Sequence, residues 1–139
     1  MAIISNKIKP FNKGINTMDY IQLVKKAEQD RFEALAQQNY QKFQDLCDPE
    51  LTYIHSSAKQ DNLLSYMTKL KNQYYIFQHV DYQIENMVEF ADTILVFAQL
   101  DAALLVQQQP MQLKNRTLSV WKKTPTGVQL FAYQPTPIK

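Results

Sequence analysis

The chain has 139 residues, 45% hydrophobic and 20% charged, with 15 basic against 13 acidic side chains and a net charge of +2. That length and balance fit one folded domain with a single core, and they exclude a disordered chain or a dense basic face for nucleic acid. The one cysteine, Cys47, leaves no partner for a disulfide and points to the cytoplasm; no apolar run is long enough to cross a bilayer, and lysines break up the N-terminus too early for a signal peptide.

Residues 1–16 read as an arm outside the core, expected to be floppy as unanchored termini usually are, with docking of Ile3, Ile4 and Ile8 on a partner subunit as the alternative. Residues 17–139 read as a single domain. Thr17 is suited to cap a helix from about Met18 to about Gln38, with Asp19 near its positive end. At about 100° per residue, Tyr20, Leu23, Val24, Ala27, Ala34 and Leu35 share one apolar arc, widened by Ile21 and Phe32. Arg31 falls near the centre of that arc and Glu28 lies within it. A charge on a core-facing stripe is costly unless it is paired or reaches a cavity. Two readings stay open: a structural Glu28–Arg31 pair one turn apart, and an arginine lining a ligand pocket.

Asn39 caps a short second helix with Tyr40, Phe43, Leu46 and Cys47 as its apolar face. Asp48-Pro49 ends it, because the residue before proline is pushed out of helical space. A strand over 51–55 follows, with Leu51, Tyr53 and His55 on one face. Ser56 to Gln60 form a loop. Asp61 is placed to cap a third helix, whose Leu63, Met67 and Leu70 recur at helical spacing.

From about Tyr75 the period changes to two. Val80, Tyr82, Ile84, Val88 and Phe90 face one way, and Asp81, Gln83, Glu85 and Glu89 the other, as in a half-buried strand. Ala91-Asp92 fits a hairpin turn without the usual glycine. Thr93 to Val106 is apolar on both faces except at Gln99 and Asp101, and reads as a long central strand. Asp101 is expected to pair across the sheet with Lys114 or Arg116. Gln107 to Pro110 make the next turn. Met111–Lys122 and Val128–Gln134 are two more strands, the last stopped by Pro135 and Pro137.

Helices segregated on one side of an antiparallel sheet make an α+β domain. Three helices and so few strands imply a strongly curved, cone-shaped sheet around an internal cavity, a usual place for a small ligand. Apolar residues on both faces of Thr93–Val106 imply that the outer face is covered as well, by a second copy in a homodimer.

His55, delivered to the end of a strand, titrates near neutrality and can act as general base or acid. Arg31 can hold a carboxylate or an oxyanion, and Tyr53 and Trp121 can give apolar walls with polar tips. Together they suit proton abstraction or addition of water on a small substrate with an anionic or carbonyl group, without metal or cofactor. A lone strand-end histidine more often makes a structural hydrogen bond than it catalyses, and no group that would orient His55 is visible in the sequence. His79 lies on the wet face of its strand, and no ligand spacing joins it to His55 as a metal site. Gly14 and Gly127 are the only glycines, so there is no glycine-rich phosphate loop.

Four segments carry a family likeness: Arg31-Phe32-Glu33-Ala34-Leu35, the run from Asp48-Pro49 through Tyr53-Ile54-His55-Ser56-Ser57, Val120-Trp121, and Tyr133-Gln134-Pro135-Thr136. They resemble the nuclear transport factor 2-like superfamily, which includes the ketosteroid isomerases, and within it the broad bacterial SnoaL-like branch. The resemblance covers about Met18 to Pro137. It places the isomerases' general-base aspartate at His55, their oxyanion-hole tyrosine at Arg31 and their oxyanion-hole aspartic acid at Ser119. Pocket-lining aromatics of that family fall at Trp121 and Gln134. The resemblance therefore implies His55 and Arg31 as catalytic and Tyr53, Ser119, Trp121 and Gln134 as ligand-binding. It does not imply ketosteroid isomerisation, because Arg31 is a permanent cation and Ser119 a weak donor where an enolate needs a tyrosine and a neutral acid. The fold hosts several functions. The expectations are a small-molecule-binding protein, an isomerase, lyase or hydratase using His55, or a dimerisation or adaptor module.

Overall fold

The computed structural model describes residues 18–139; the predicted 1–16 arm and the predicted cap Thr17 lie outside the described residues. The elements follow as α1 (Tyr20–Ala36), α2 (Tyr40–Asp45), β1 (Cys47–Ile54), β2 (Gln60–Asn62), α3 (Leu63–Lys71), β3 (Tyr75–Phe90), β4 (Thr93–Val106), β5 (Gln109–Thr124) and β6 (Gly127–Pro137). This is the predicted order with β2 added.

Helix α1 is capped by Asp19, whose side chain accepts the Gln22 N–H at 3.2 Å. Its inner face buries Ile21, Val24, Ala27, Phe32, Ala34 and Leu35 together with Glu28 and Arg31, while Leu23 falls outside the stripe and is exposed. Helix α2 ends at Asp45, earlier than the proline requires. Cys47 already belongs to β1, and its thiol donates back to the Phe43 carbonyl at 3.3 Å. Pro49 sits where the register against β6 jumps, between Cys47↔Leu130 and Thr52↔Ala132. Helix α3 is capped by Asn62 in a reciprocal box with Ser65, and not by Asp61. Asp61 instead lies on β2, paired with Tyr53 in a tight β1–β2 hairpin.

The strands form one open sheet in the order β2-β1-β6-β5-β4-β3, antiparallel except for the β1–β6 pair. Strand β3 carries an extra residue at Gln78 and another at Glu85. Each bulge bends the strand and flips which side chains face inward. Phe77, Val80, Tyr82 and Ile84 therefore point to the helices, and after the second bulge Met87 does so. Val88 and Phe90, predicted to share that face, are turned outward and exposed. Strand β6 runs on through Pro135 and Pro137. Ile138 donates to the Lys114 carbonyl on β5, so alternation turns both prolines toward the side where β6 has no partner beyond Tyr133. At the β4–β5 hairpin Gln107 and Gln108 adopt φ of 49° and 71°, the left-handed pair a two-residue turn needs, here without glycine.

The concave face packs on the helices through Ile94, Val96, Ala98, Leu100, Ala102 and Leu104 of β4, with Trp121 and Leu130. Asp101 faces outward in register with Lys114, but no ion pair joins them, and Arg116 bonds Glu85 at 2.9 Å instead. The α+β class and the curved sheet around three N-terminal helices are as the sequence predicts.

Candidate functional site

A cavity of about 250 Å³ opens between β1, the helices and the concave sheet. Exposure along β5 gives its depth: Met111 is 44% exposed at the mouth, Leu113 is half-buried, and Asn115 is 1% exposed at the closed end. The β1–β2 turn and Gln107 frame the mouth, and the Gln107 N–H donates to the Tyr74 carbonyl at 2.9 Å. Phe32, Tyr53, Leu100, Asn115 and Tyr133 wall the closed end.

His55 stands in the cavity wall, stacked on Tyr75 at 4.9 Å and flanked by Tyr53 and Tyr66. The hairpin that makes β2 folds Asp61 back onto it, with Nε2 2.7 Å from Oδ2. Asp61 also accepts from the Ser65 hydroxyl at 2.8 Å and from Lys69 Nζ at 3.1 Å. Burial works to raise the Asp61 pKa, but the bonds from Ser65, His55 and Lys69 outweigh it and hold the carboxyl below its usual range. Burial lowers the His55 pKa, and the opposing pull of Asp61 does not restore it. The histidine is therefore neutral at pH 7 beside an ionised carboxylate. Only an Nε2–H can donate to that carboxylate, which leaves Nδ1 as the basic nitrogen. Burial also keeps the hydroxyls of Tyr53, Tyr66 and Tyr133 protonated and pushes that of Tyr75 up to about 12, so these rings offer neutral polar tips.

Arg31 takes the structural side of its two readings. It is 0% exposed and lies behind the closed end. Its Nε bonds Glu28, its Nη2 donates to Ser119 Oγ at 3.0 Å, and the rings of Phe32 and Tyr133 cover the guanidinium at 4.1 and 4.4 Å. Glu28 in turn accepts from the Tyr82 hydroxyl at 3.0 Å. Burial is the largest influence and opposes the arginine's charge, but Glu28 together with the Tyr82, Tyr53 and Tyr133 hydroxyls outweighs it and holds the guanidinium charged.

Of the six predicted site residues, the structure brings His55 and Tyr53 to the cavity. Arg31 and Ser119 bond each other beneath its floor. Trp121 is 0% exposed in the core, away from the cavity wall. Gln134 is exposed on the outer face, in register with Leu118. The irregularity in β6 at Phe131 sets this parity, so that Tyr133 and Pro135 reach the cavity in its place. Asp61, Asn115 and Tyr133 are the site residues that sequence reasoning missed. For Asp61 a signal existed: it lies six positions after His55, the span of a tight hairpin. A second, more open groove of about 770 Å³ runs between α1 and β3, but it brings together no oriented acid–base pair. Among the described residues no group of three potential ligands is placed to hold a metal ion, and no helix is long and apolar enough to cross a membrane.

No protein-family model matches the chain, and no curated protein matches it. Solved structures do. A candidate calcium/calmodulin-dependent kinase II association domain from Exiguobacterium sibiricum superposes with a TM-score of 0.75 at 15% identity, covering 91% of this chain and 98% of that one. A nuclear transport factor 2-like protein from Cytophaga hutchinsonii gives 0.75 at 18% identity, covering 87% and 100%. A candidate dehydratase of the same fold family from Streptomyces avermitilis gives 0.68 at 15% identity, covering 85% and 95%. With its three helices, its open and mostly antiparallel sheet and these neighbours, the chain has the nuclear transport factor 2-like fold.

Proposed function

We propose that this chain binds a small, largely apolar molecule in the cavity and that His55, oriented by Asp61, performs an acid–base step on it. The observation that carries the reading is the 2.7 Å bond between His55 Nε2 and Asp61 Oδ2 in the cavity wall. It supplies the orienting partner that a lone histidine lacks and leaves Nδ1 to take a proton. Removal of a proton next to a carbonyl, or activation of water for addition or elimination, fits such a base. That is isomerase, lyase or hydratase chemistry, and the likeness to a candidate dehydratase agrees with it at the level of fold. Size narrows the ligand. An apolar cavity of about 150 Å³ accommodates benzene, so 250 Å³ suits one ring with a short substituent.

The test is a thermal-shift screen of small aromatic and carbonyl compounds against the intact chain, Leu113→Trp, His55→Gln and Asp61→Asn. Leu113→Trp should abolish every hit by filling the cavity. Hits that survive it unchanged would rule the cavity out as the binding site. Compounds bound but never turned over by the wild type, with affinity indifferent to His55→Gln, would remove the catalytic half of the proposal.

A second reading rests on the outer sheet face, where Val88, Phe90 and Phe97 are exposed. In this reading the chain is a cytoplasmic homodimer joined through that face, and the domain serves assembly, in keeping with the likeness to a candidate association domain. Sedimentation of the wild type and of Phe97→Glu tests it. A monomer in both would exclude it.

A further inference from the structure

We infer that the closed end of the cavity receives a neutral carbonyl oxygen, on the amide of Asn115 and the hydroxyl of Tyr133. This rests on the cavity being the ligand site and names the class of molecule it takes: a flat, conjugated ketone, aldehyde, lactone or amide of about one ring.

The carrying observation is a pair of polar groups with nothing to bond. Asn115 Nδ2 and the Tyr133 hydroxyl are buried and have no hydrogen-bond partner among the described residues. Their residues are 1% and 3% exposed, and both wall the closed end. Native proteins rarely leave buried donors unpaired, because each loses its water without compensation.

The neighbours do not account for Asn115. Its cross-strand partners are Leu100 and Pro137, which offer no side-chain acceptor. The next inward residues on β5 are engaged: Thr117 donates to the Ala98 carbonyl at 3.4 Å, and Ser119 accepts from Arg31. Asn115 alone in that polar run lines the cavity with its amide nitrogen unpartnered. The Tyr133 hydroxyl is similarly placed. Its ring lies 4.8 Å from that of Tyr53 and covers Arg31, yet its oxygen meets no partner among the described residues.

Charge decides between a carbonyl and a carboxylate. Among the described residues no cation lines the closed end. Arg31 lies outside the lining, behind Phe32 and Tyr133; its Nη1 is without a partner, but Glu28 is against its Nε, so the pair is neutral overall. A carboxylate there would lose its hydration with no counter-charge to receive it, whereas a carbonyl oxygen needs only the donors present. The walls decide the shape. Tyr53 and Tyr66 stack at 4.2 Å, and His55 and Tyr75 stack at 4.9 Å, which leaves flat apolar surfaces for a planar body.

Titration calorimetry with three probes of nearly equal shape tests this: acetophenone, ethylbenzene and benzoate. The wild type should bind acetophenone about tenfold tighter than ethylbenzene, the worth of one buried hydrogen bond, and benzoate more weakly than acetophenone. Tyr133→Phe and Asn115→Leu should each reduce the preference for acetophenone while leaving ethylbenzene affinity unchanged. Equal affinity for acetophenone and ethylbenzene in the wild type would overturn the inference and leave the cavity reading standing. Tightest binding of benzoate would overturn it in favour of an anion site. No binding of any probe would overturn the cavity reading along with it. Should Asn115→Leu fail to fold, the wild-type series and Tyr133→Phe decide the matter.

Discussion

The Arg31–Glu28 and His55–Asp61 pairings each join a basic side chain to a carboxylate, and they do opposite things. Arg31 and Glu28 lie one turn apart on α1, wholly buried, with Ser119, Tyr82 and two aromatic rings closed around them. His55 and Asp61 meet across the β1–β2 hairpin, with 12% of the histidine side chain still accessible. The first pair holds a charge that cannot leave, and its bonds tie α1 to the sheet. The second keeps one histidine nitrogen uncommitted, on a ring whose pKa burial lowers. Depth in the fold, more than residue type, separates structural pairing from a candidate acid–base centre.

The sharpest way to break this comparison is to remove Glu28. Glu28→Gln should destabilise the chain by about 3–5 kcal/mol in chemical denaturation, because it leaves the Arg31 charge buried without its partner. The double change Glu28→Gln with Arg31→Met should recover much of that loss. A cost below about 1 kcal/mol for the single change would mean that Arg31 reaches water. Ser119→Ala should cost about 1.5–3 kcal/mol, the range for a hydrogen bond to a charged group. It should leave ligand affinity unchanged if Ser119 belongs to the core pair and not to the cavity.

Smaller effects are expected at the other pair. Asp61→Asn should cost about 1 kcal/mol and lower the His55 pKa further, since burial remains while the carboxylate's support is lost. The histidine ring signals in an NMR titration check this, and an unchanged midpoint would place Asp61 outside the pair. His55 also makes a directional prediction for pH. Its folded pKa lies below the unfolded value near 6.5, so the folded state favours the neutral ring. That contribution to stability is fully present above the unfolded pKa and is lost as pH falls through the folded one. Melting temperatures should therefore fall more steeply from pH 7 to pH 5 in the wild type than in His55→Gln. Last and smallest, Gln134→Ala should change stability by no more than about 0.5 kcal/mol and leave probe binding as it is, because Gln134 faces away from the cavity.

The legible parts of this sequence were those governed by one element at a time. The arc of α1 predicted Val24, Ala27, Ala34 and Leu35 in the core and singled out Arg31 and Glu28 as its anomaly. The phase of β3 was legible only as far as the second bulge. An extra residue restarts a period of two without leaving a mark, so Val88 and Phe90 were assigned to the wrong face. Asp61 illustrates a different limit. Asp61 and Asn62 are comparable caps, and the choice fell to the Ser65 hydroxyl, which closes a reciprocal box with Asn62 and frees Asp61 for His55. Gln134 entered the expected site through the family resemblance, and the irregularity at Phe131 turns it outward.

By itself the sequence determined the class of the domain, the order of its main elements and the histidine at the end of β1, because periodicity and capping act over a few neighbouring residues. The tertiary structure decided the rest. It buried the arginine behind the cavity and brought an aspartate to the histidine, and it left Asn115 and Tyr133 facing the cavity without partners. Those outcomes depend on strand register and on distances between segments far apart in the chain, which no local pattern encodes.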